Sequence, residues 1–565
     1  MAQTIVIIGG VAGGASTAAR LRRLSEEDQI IVFERGPHVS FSNCCLPYHL
    51  SGTVENSDDL VLMSPEKFKA QYNLDMRTGH EVVRIDATAH TVTVRKVETG
   101  ETFDQSYDKL VLSPGGSPVI PPIPGIENAP IFTIRNVPDI VKLQNAAKGE
   151  RKRISVVGGG FIGVEAAENL REAGHEVTLI EAMPQIMRIF DEEMVQILHK
   201  ELHDHGVQLI LNDKVTAFEG GNISLASGKN VESDLVVLAI GVRPESSLAK
   251  EAGMDLAPNG AIKVDQNHRT SAPDVYAVGD AVEVYHAVTG DFCTLPLAGP
   301  AQKQARQAAD DIHGLPVDNR GYIGSSCIKV FGFHGSATGV TAGFLRACHP
   351  EVRFGEVMVI PGDKVGLMPG CEPLHFKLVY ELPTGRILGA QAIGKGNADK
   401  RIDVVATAMK FGATVEDLKD LELCYAPPFG TAKDVVNFAG YVATNLRNGS
   451  FKQITVDQIR PLVEQGAHII DVREEDEYAL SHIKGAVNIP LSQLRDRISE
   501  IPQDKDVYLH CRSAQRSYNA VMALQNLGYT KVYNVSGGFL GLSYYEYFRD
   551  VTENRAPVVT NYNFD

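Results

Sequence analysis

Two segments of this sequence have residue types and spacing suited to sulfur chemistry. One has adjacent cysteines in the run Ser40-Phe41-Ser42-Asn43-Cys44-Cys45-Leu46-Pro47-Tyr48. The other lies between a predicted buried strand and a predicted helix, in the run His510-Cys511-Arg512-Ser513-Ala514-Gln515-Arg516-Ser517. Backbone N–H groups and flanking arginines stabilise a thiolate at a helix N-terminus, so Cys511 has the clearest reactive environment. Cys44 also has a plainer interpretation, because free cysteines are often small buried hydrophobic residues.

A glycine-rich turn lies shortly before the first cysteine pair. The apolar run 4–8 predicts a strand buried on both faces of a parallel sheet, and a helical stretch through Leu24 follows the turn. A second strand, 29–33, ends at Glu34 and completes a βαβ unit. Such a turn brings backbone N–H groups to a pyrophosphate, and the acid accepts from ribose hydroxyls. The predicted dinucleotide site comprises Gly9, Val11, Ala12, Gly13, Gly14, Glu34 and Arg35, with Val11 replacing the usual second glycine.

The same pattern occurs again after residue 150. Gly158, Gly160 and Gly163 fit the dinucleotide fingerprint in full, and the following strand ends at Glu181. A carboxylate there pairs with a free 2′-hydroxyl and repels a 2′-phosphate, which favours NADH over NADPH. Arg188 lies nearby in the sequence and would soften that preference.

Two nucleotide units in one chain suggest a flavin that exchanges electrons with a nicotinamide. The run 270–281 ends a predicted strand with Gly279-Asp280 and resembles the second FAD signature of the pyridine-nucleotide disulfide reductases. In that family the aspartate contacts the ribityl chain, a role that falls to Asp280; the alternative is an ordinary helix cap. Ala298 is assigned to the same cofactor site.

Composition limits the possible function classes. A chain of 565 residues predicts three or four domains. A net charge of −16 disfavours nonspecific binding to nucleic acid or to anionic membranes. The eight cysteines show no paired framework, and no signal peptide or membrane-spanning run is recognised. We therefore expect a cytoplasmic protein in a reducing compartment.

The chain after residue 325 changes to strand-like runs, with helical stretches near 400–412 and 432–447. The run 423–430 contains two successive prolines, which predict a rigid loop. Tyr425 at its start could reach a neighbouring site or be purely structural. Residues 446–452 are typical of a linker to a further unit.

Two family resemblances account for nearly the whole chain. Residues 1–445 resemble the coenzyme A-disulfide reductase branch of the flavin disulfide reductases, through residues 40–48 and Tyr425-Ala426-Pro427-Pro428. Residues 453–565 resemble a rhodanese domain, through Asp471-Val472-Arg473, residues 485–490 and the loop 511–516. Together they resemble the rhodanese-fused coenzyme A reductases.

The resemblance implies an α/β fold with four domains. An FAD domain (1–150 and 271–322) and an NAD domain (151–270), both Rossmann-like, precede an α+β dimerisation domain (323–445) and an α/β rhodanese domain (453–565). It implies FAD, NADH and coenzyme A as cofactors or substrates, no metal, and a homodimer with shared active sites. The implied coenzyme A contacts are Ser16, Arg20, Arg23, Ser40, Asn43 and Lys433. The Arg20/Arg23 pair, three residues apart on one helix, would otherwise be a solvated basic face.

The implied activity is NADH-dependent reduction of persulfides or polysulfides. Cys44 is the single redox cysteine, Cys511 carries sulfane sulfur, and Tyr425 of the partner subunit protonates the leaving group. The branch usually has two tyrosines before a Pro-Gly pair, where this chain has Leu367-Met368. Cys45 replaces a small residue and is either inert or a resolving thiol. Other possible functions are a coenzyme A-disulfide reductase proper, an NADH oxidase or peroxidase, and a sulfur carrier for a partner protein.

Overall fold

The structure, a computed structural model, describes residues 2–564. The described chain forms two compact units. The first comprises the residues up to Pro184 together with Ile210–Gly324, and the second comprises Gln185–Leu209 and the chain from Ser325 onward. Within residues 2–564, no helix is both long and apolar enough to cross a membrane.

Residues 2–150 contain nine strands and three α-helices. Its strands are β1 (Thr4–Ile8), β2 (Gln29–Glu34), β3 (Asp75–Thr78), β4 (His80–Asp86), β5 (Thr91–Lys96), β6 (Thr102–Ser106), β7 (Lys109–Leu112), β8 (Gly116–Pro118) and β9 (Ile131–Phe132). Its helices are α1 (Ala12–Leu24), α2 (Pro65–Tyr72) and α3 (Val137–Ala147).

Residues 151–324 contain the repeat of the nucleotide pattern. The strands are β10 (Arg153–Val157), β11 (Glu176–Ile180), β12 (Gln208–Ile210), β13 (Val215–Glu219), β14 (Asn222–Leu225), β15 (Asn230–Glu232), β16 (Leu235–Leu238), β17 (Val242–Pro244), β18 (Val275–Ala277), β19 (Val284–Tyr285) and β20 (Phe292–Cys293). The helices are α4 (Phe161–Glu172), α5 (Glu192–Asp204), α6 (Ser247–Glu251) and α7 (Ala298–Ile312).

Residues 325–450 form an antiparallel sheet with helices. The strands are β21 (Ser326–Val330), β22 (Phe333–Gly339), β23 (Phe354–Val359), β24 (Leu374–Glu381) and β25 (Ile387–Gly394). The helices are α8 (Ala342–Cys348), α9 (Ala398–Lys410), α10 (Val415–Asp420) and α11 (Val435–Arg447). The helices predicted near 400–412 and 432–447 are confirmed as α9 and α11.

The remaining residues form a small α/β unit. Its strands are β26 (Gln453–Ile454), β27 (His468–Asp471), β28 (Val487–Asn488), β29 (Val507–His510) and β30 (Val532–Val535). Its helices are α12 (Ile459–Glu464), α13 (Glu475–Leu480), α14 (Gln515–Asn526) and α15 (Gly538–Thr552). The five strands are parallel, in the order β26-β30-β29-β27-β28.

Two parallel sheets carry the nucleotide turns in the first unit. One has the order β18-β7-β1-β2-β3, and the other contains β11-β10-β16-β9. The first strand is buried on both faces, because Ile5 and Ile7 pack with α1 while Val6 and Ile8 pack in a separate core on the opposite side. A continuous apolar run is the pattern expected for such a strand, so the α/β prediction is confirmed.

A buried ammonium group holds together several elements of the second unit. Lys377 on β24 is 1% exposed. Its Nζ lies 2.8 Å from Asp191 Oδ2 and 2.7 Å from Glu356 Oε2, and it also contacts the Glu193 carboxylate. Asp191 is the N-cap of α5 and accepts hydrogen bonds from the first N–H groups of α8. The cluster therefore joins α5, α8, β23 and β24.

The C-terminal α/β unit packs on this same framework. Helix α15 lies against α5, and Arg549 forms an ion pair with Glu192. Gln453 Nε2 donates to the carbonyl oxygen of Glu356 at 2.8 Å. Within the second compact unit, the segments before and after the predicted linker 446–452 therefore pack against each other.

Replacing Lys377 with Met should lower the free energy of unfolding by about 3–5 kcal/mol, because one buried and two half-buried carboxylates lose their shared cation. Lys395→Met is the matched control, since that lysine is half-exposed and, among the described residues, forms its ion pair with Glu372. Denaturant unfolding followed by circular dichroism measures both. Equal stability of the Lys377→Met variant and the parent would contradict the assigned role of the cluster.

Candidate functional site

The first glycine turn brings two stretches of backbone into direct contact. Gly9 has φ +97°, and a Cβ at Gly14 would lie 1.8 Å from the carbonyl oxygen of Gly9. Only glycine at position 14 therefore lets α1 start so close to β1. Val11 is the N-cap and contributes no side-chain hydrogen bond to the helix, so the first helical N–H groups are left for an anion. The missing second glycine does not prevent this geometry.

Glu34 at the end of β2 closes the same turn. Its carboxylate accepts hydrogen bonds from Gly10 N at 2.9 Å and from Gly36 N at 2.8 Å. The acid is thereby fixed beside the glycines, where ribose hydroxyls would lie above a pyrophosphate. Arg35 is exposed next to it. These residues fit the adenosine half of FAD.

The second turn repeats this construction. Gly158 has φ +112°, and a Cβ at Gly163 would lie 1.9 Å from the carbonyl oxygen of Gly158. A Cβ at Gly160 would meet open space, so backbone can approach a ligand there. Glu181 accepts from Gly159 N at 2.6 Å and from Met183 N at 2.8 Å. The arrangement fits a second dinucleotide.

The third cofactor segment lies beside the first turn. Gly13 and Gly279 both face the side chain of Ser113, the residue that follows β7. Asp280 lies 3.7 Å from Arg135; burial raises the pKa of Asp280, and the guanidinium offsets part of that rise. Ala298 is the first residue of α7. Asp280 is thus a polar group close to the first turn rather than the cap of a following helix.

The Cys44 segment is anchored to the first turn through its backbone. Ser40 has φ +48° and donates its N–H to the carbonyl oxygen of Gly10 at 2.8 Å. Asn43, Cys44 and Cys45 then form a single 3₁₀ turn. Cys44 is exposed and Cys45 is half-buried, and both are free thiols. The fold therefore fixes Cys44 relative to the FAD turn.

The charges around Cys44 favour its protonated form. Burial raises the pKa of Cys44, and the nearby Glu165, Cys45 and Asp280 raise it further. Glu165, on α4 of the second nucleotide unit, was missed by the sequence reasoning. The available signal was an acid in the otherwise apolar stretch Val164-Glu165-Ala166-Ala167 of a helix that must pack on a sheet.

The residues expected to bind coenzyme A lie in different settings. Arg23 is exposed, whereas Arg20 Nε lies 2.6 Å from Asp310 Oδ1 of α7. Ser16 is half-buried on the same helix, and Asn43 has a buried Oδ1 without a hydrogen-bond partner. Lys433 belongs to the second unit, with its Nζ about equally distant from the Phe438 and Tyr441 rings, at 5.1 and 5.2 Å.

The Pro-Pro loop of the second unit presents aromatic side chains to solvent. Tyr425 is 49% exposed and Phe429 is 72% exposed. The loop is held by Gly430 N donating to Ala426 O, and Val365 N donates to Pro427 O from a neighbouring loop. Leu367 in that neighbouring loop is 93% exposed. Such apolar exposure is typical of a surface that another chain covers.

The Cys511 loop forms a second cysteine site. Cys511 follows β29 and is 1% exposed. Its carbonyl oxygen accepts from Phe539 N at 2.8 Å, and Ser517 Oγ lies 3.6 Å from Cys511 Sγ. Ala514 adopts φ +75° at the N-terminus of α14. Ser513 is half-buried, and Gln515 is exposed.

The two arginines of this loop interact with different residues. Arg516 contacts Cys511 and also forms a two-bond ion pair with Glu477, at 2.6 and 2.7 Å. The charge of Arg512 instead acts on the buried His375, whose pKa is lowered to about 3 by burial and then by Arg512. Sequence reasoning missed Glu477, because its contact joins α13 to a loop far along the chain.

A buried polar cluster lies at the strand ends next to the Cys511 loop. Asp471 is completely buried and binds the Arg473 side chain, with Arg473 Nη2 2.6 Å from Asp471 Oδ2. His510 Nε2 lies 3.6 Å from the same carboxylate. The Asp-Val-Arg run therefore fixes the strand ends from which Cys511 projects.

Comparisons with known proteins agree with this architecture. Residues 3–305 match the family model "Pyridine nucleotide-disulphide oxidoreductase", residues 326–435 match its dimerisation domain, and residues 455–543 match the rhodanese-like domain. The coenzyme A disulfide reductase of Staphylococcus aureus (strain JH9) is 35% identical over 441 residues, which are 78% of this chain and 99% of that protein.

Two solved structures resemble nearly the whole chain. A reduced Bacillus anthracis protein described as CoADR-RHD is 45% identical with a TM-score of 0.94, over 97% of this chain and 99% of that one. A NAD-dependent persulfide reductase from A. fulgidus is 33% identical with a TM-score of 0.90, over 95% of this chain and 99% of that one. The chain belongs to the pyridine nucleotide-disulphide oxidoreductase family and carries a rhodanese-like domain after its dimerisation domain.

Proposed function

We propose that this flavin-dependent disulfide or persulfide reductase uses NADH to reduce coenzyme A persulfide and related polysulfides, releasing hydrosulfide. The observation that carries the proposal is the combination of one exposed cysteine, Cys44, tethered to the FAD turn, with a second cysteine, Cys511, in a rhodanese loop. The NAD-dependent persulfide reductase from A. fulgidus, which matches over 95% of this chain, supports the sulfur substrate.

Cys44 is the proposed attacking group. Bound FAD and NADH supply the two electrons that return Cys44 to its reduced form. In the exchange step, Cys44 Sγ attacks one sulfur of the substrate S–S bond and forms a new S–S bond to it. The old S–S bond breaks, and its electron pair leaves on the other sulfur, which requires a proton. Cys45 either packs inertly or resolves the product as a second thiol.

We propose that the substrate lies against α1 and the 3₁₀ turn that contains Cys44. Arg23 is exposed, with its Nε bonded to the carbonyl oxygen of Ala19, and its outer N–H groups can meet a phosphate. Arg20 can do so if it exchanges Asp310 for the ligand. The unpartnered Oδ1 of Asn43 offers a hydrogen-bond acceptor beside Cys44. Ser16 lies on α1, and Ser40 lies just before the Cys44 turn. We propose that Lys433 of the partner subunit completes this set of contacts.

The active site is proposed to be completed by a second copy of the chain. The exposed Tyr425, Phe429 and Leu367 in the dimerisation region provide the surface for it. Tyr425 of the partner subunit then lies at the Cys44 site. Because this chain has Leu367-Met368 before Pro369-Gly370, that tyrosine is the partner phenol assigned to the site.

Cys511 is the proposed entry point for sulfur. Its thiolate attacks the outer sulfur of a donor persulfide, which transfers that sulfur to Cys511 and releases the donor thiolate. Arg516 lies beside the thiol and can pair with the sulfur during the transfer. The S. aureus relative supports coenzyme A disulfide as a second substrate of the same Cys44 chemistry.

Replacing Glu181 with Ala should raise kcat/KM for NADPH about tenfold relative to NADH, because the carboxylate that repels a 2′-phosphate is removed. Glu176→Ala is the matched control, since Glu176 lies at the other end of β11 and pairs with Arg151. Steady-state rates with both nucleotides measure the effect. An unchanged NADPH/NADH ratio would contradict the role of Glu181.

Replacing Cys44 with Ser should abolish NADH oxidation driven by coenzyme A persulfide, because the attacking thiol is lost. Replacing Cys511 with Ser should remove sulfur transfer from an external donor but leave reduction of added coenzyme A disulfide unchanged. Cys348→Ser, at another exposed cysteine, is the matched control for the Cys44 variant. Rates with persulfide, coenzyme A disulfide and oxygen distinguish a persulfide reductase from a plain disulfide reductase and from an NADH oxidase.

Full persulfide turnover in the Cys44→Ser variant would reject the proposed function. Unchanged donor-dependent turnover in the Cys511→Ser variant would reject the rhodanese cysteine as the entry point while leaving the role of Cys44 intact.

A further inference from the structure

Arg401 is a buried arginine of α9 that binds three separate segments of the second unit. It is 8% exposed. Its Nη2 lies 3.0 Å from Oδ2 of Asp434, the N-cap of α11, and its Nε donates to the same oxygen at 3.2 Å. Nη2 also donates to the carbonyl oxygens of Asp363 at 3.2 Å and Phe429 at 3.3 Å. One guanidinium group therefore joins two loops and the start of a helix.

These three segments carry the residues assigned above to the surface that a second copy of the chain meets. The Pro-Pro loop 423–430 carries Tyr425, the loop 361–373 carries Leu367, and Lys433 directly precedes the N-cap of α11. All three of these side chains are exposed. Each therefore extends from a stretch of backbone that the buried arginine holds.

The Pro-Pro loop lies outside the helices and strands, so its position depends on individual hydrogen bonds. Just before its start, the carbonyl oxygen of Leu421 accepts from Asn437 Nδ2 at 3.0 Å. Near its end, the carbonyl oxygen of Phe429 accepts from Arg401. Asp434 links these two anchors, because it pairs with Arg401 and donates its N–H to Asn437 Oδ1 at 3.1 Å. Both ends of the loop are therefore fixed to one hydrogen-bonded group.

An arginine suits this position because its guanidinium group is a planar fork with five N–H donors. The carboxylate of Asp434 balances the buried charge, and the remaining donors reach two carbonyl oxygens. A Cβ at Gly430 would lie 3.3 Å from Arg401 Nη2, so the backbone of the loop packs directly on the guanidinium group. A lysine side chain presents a single nitrogen, which can keep the pair with Asp434 but cannot span both loops.

We propose that Arg401 is a positioning residue for the sulfur exchange at the Cys44 site of the partner subunit. It acts by fixing Tyr425 and Lys433 on the surface that meets that site. The inference rests on the proposed function, in which these two residues complete the site across the dimer. Arg401 itself takes no part in the bond changes, because its donors are used within its own chain.

This role makes a prediction that an ordinary stabilising contact does not make. The bonds of Arg401 are all made to its own chain, whereas the loops that it fixes serve the other subunit. Loss of the arginine in one subunit therefore impairs the site whose attacking cysteine belongs to the other subunit. Reduction of the flavin by NADH uses the nucleotide turns of the first unit, and we expect it to be unchanged.

The first measurement separates the two half-reactions in the dimeric holoenzyme. Arg401→Lys should lower kcat/KM for coenzyme A persulfide about tenfold, because misplaced groups slow the exchange step. Stopped-flow reduction of its flavin by NADH should keep the native rate. Arg447→Lys is the matched control and should behave as the native enzyme. Arg447 also binds one carboxylate, that of Glu416, and one carbonyl oxygen, that of Pro383, but at the opposite end of α11.

The decisive measurement uses a heterodimer of one Arg401→Lys chain and one Cys44→Ser chain, purified through two different affinity tags. One of its sites combines an intact Cys44 with intact loops from the other chain, and the second site lacks the cysteine. We therefore expect about half the activity of the native dimer. If Arg401 acts within its own subunit, the site with Cys44 is the impaired one, and the heterodimer has only about a twentieth of the native activity.

A second readout does not depend on turnover. The sequence contains no tryptophan, so Phe429→Trp introduces a single tryptophan at an exposed position of the Pro-Pro loop. Added Arg401→Lys should lower the fluorescence anisotropy of this tryptophan, because the end of the loop is released. Added Arg447→Lys should leave the anisotropy unchanged.

Three results would each overturn the proposal: a native kcat/KM in Arg401→Lys, the lower of the two activities in the heterodimer, or an unchanged anisotropy. If Arg401→Lys does not form a flavin-loaded dimer, the pair Arg401→Met with Asp434→Asn takes its place in every measurement. That pair removes both charges together, and asparagine remains a good N-cap. A failure of the proposed function is seen separately, as persulfide turnover by the Cys44→Ser homodimer.

Discussion

The site depends on two glycine crossings, the points in the two glycine turns where the backbone of a helix touches the backbone at the end of the preceding strand. Gly14 against Gly9 and Gly163 against Gly158 leave no space for a Cβ, so each helix starts directly on the end of its strand. The first crossing also provides the carbonyl oxygen of Gly10 that holds the Cys44 segment. The second places α4, and with it Glu165, against the same segment. A side chain at either crossing would move the reactive groups as well as the nucleotides.

The two reactive cysteines sit in opposite electrostatic environments. Burial and then two nearby carboxyl groups raise the pKa of Cys44, whereas Cys511 lies beside the guanidinium of Arg516. A cysteine next to a cation is suited to attacking and holding sulfur as an anion. The difference supports separate tasks for the two thiols rather than a duplicated one.

Much of the fold could be predicted from sequence because its determinants are local. The strand, the glycine turn, the helix and the acid at the next strand end lie within one short βαβ unit, and Glu34 and Glu181 occupy the expected positions. Glu165, Asp310 and Glu477 could not be found this way. Asp310 and Glu477 pair with Arg20 and Arg516 across a long separation in sequence, and Glu165 acts on the pKa of Cys44 from a different nucleotide unit. The side-chain type of each acid alone is compatible with an exposed helix face. Packing, rather than periodicity, decides what these acids do.

The Arg20–Asp310 pair has a consequence for the coenzyme A site proposed above. A phosphate that binds Arg20 replaces an existing carboxylate, so the net gain is the difference between two ion pairs rather than the full strength of one. When the ligand leaves, Asp310 is already in place to neutralise the arginine, which lowers the barrier to departure. Such internal counterion exchange suits a carrier that must unload at every cycle, because it keeps recognition of the phosphate while shortening the residence time.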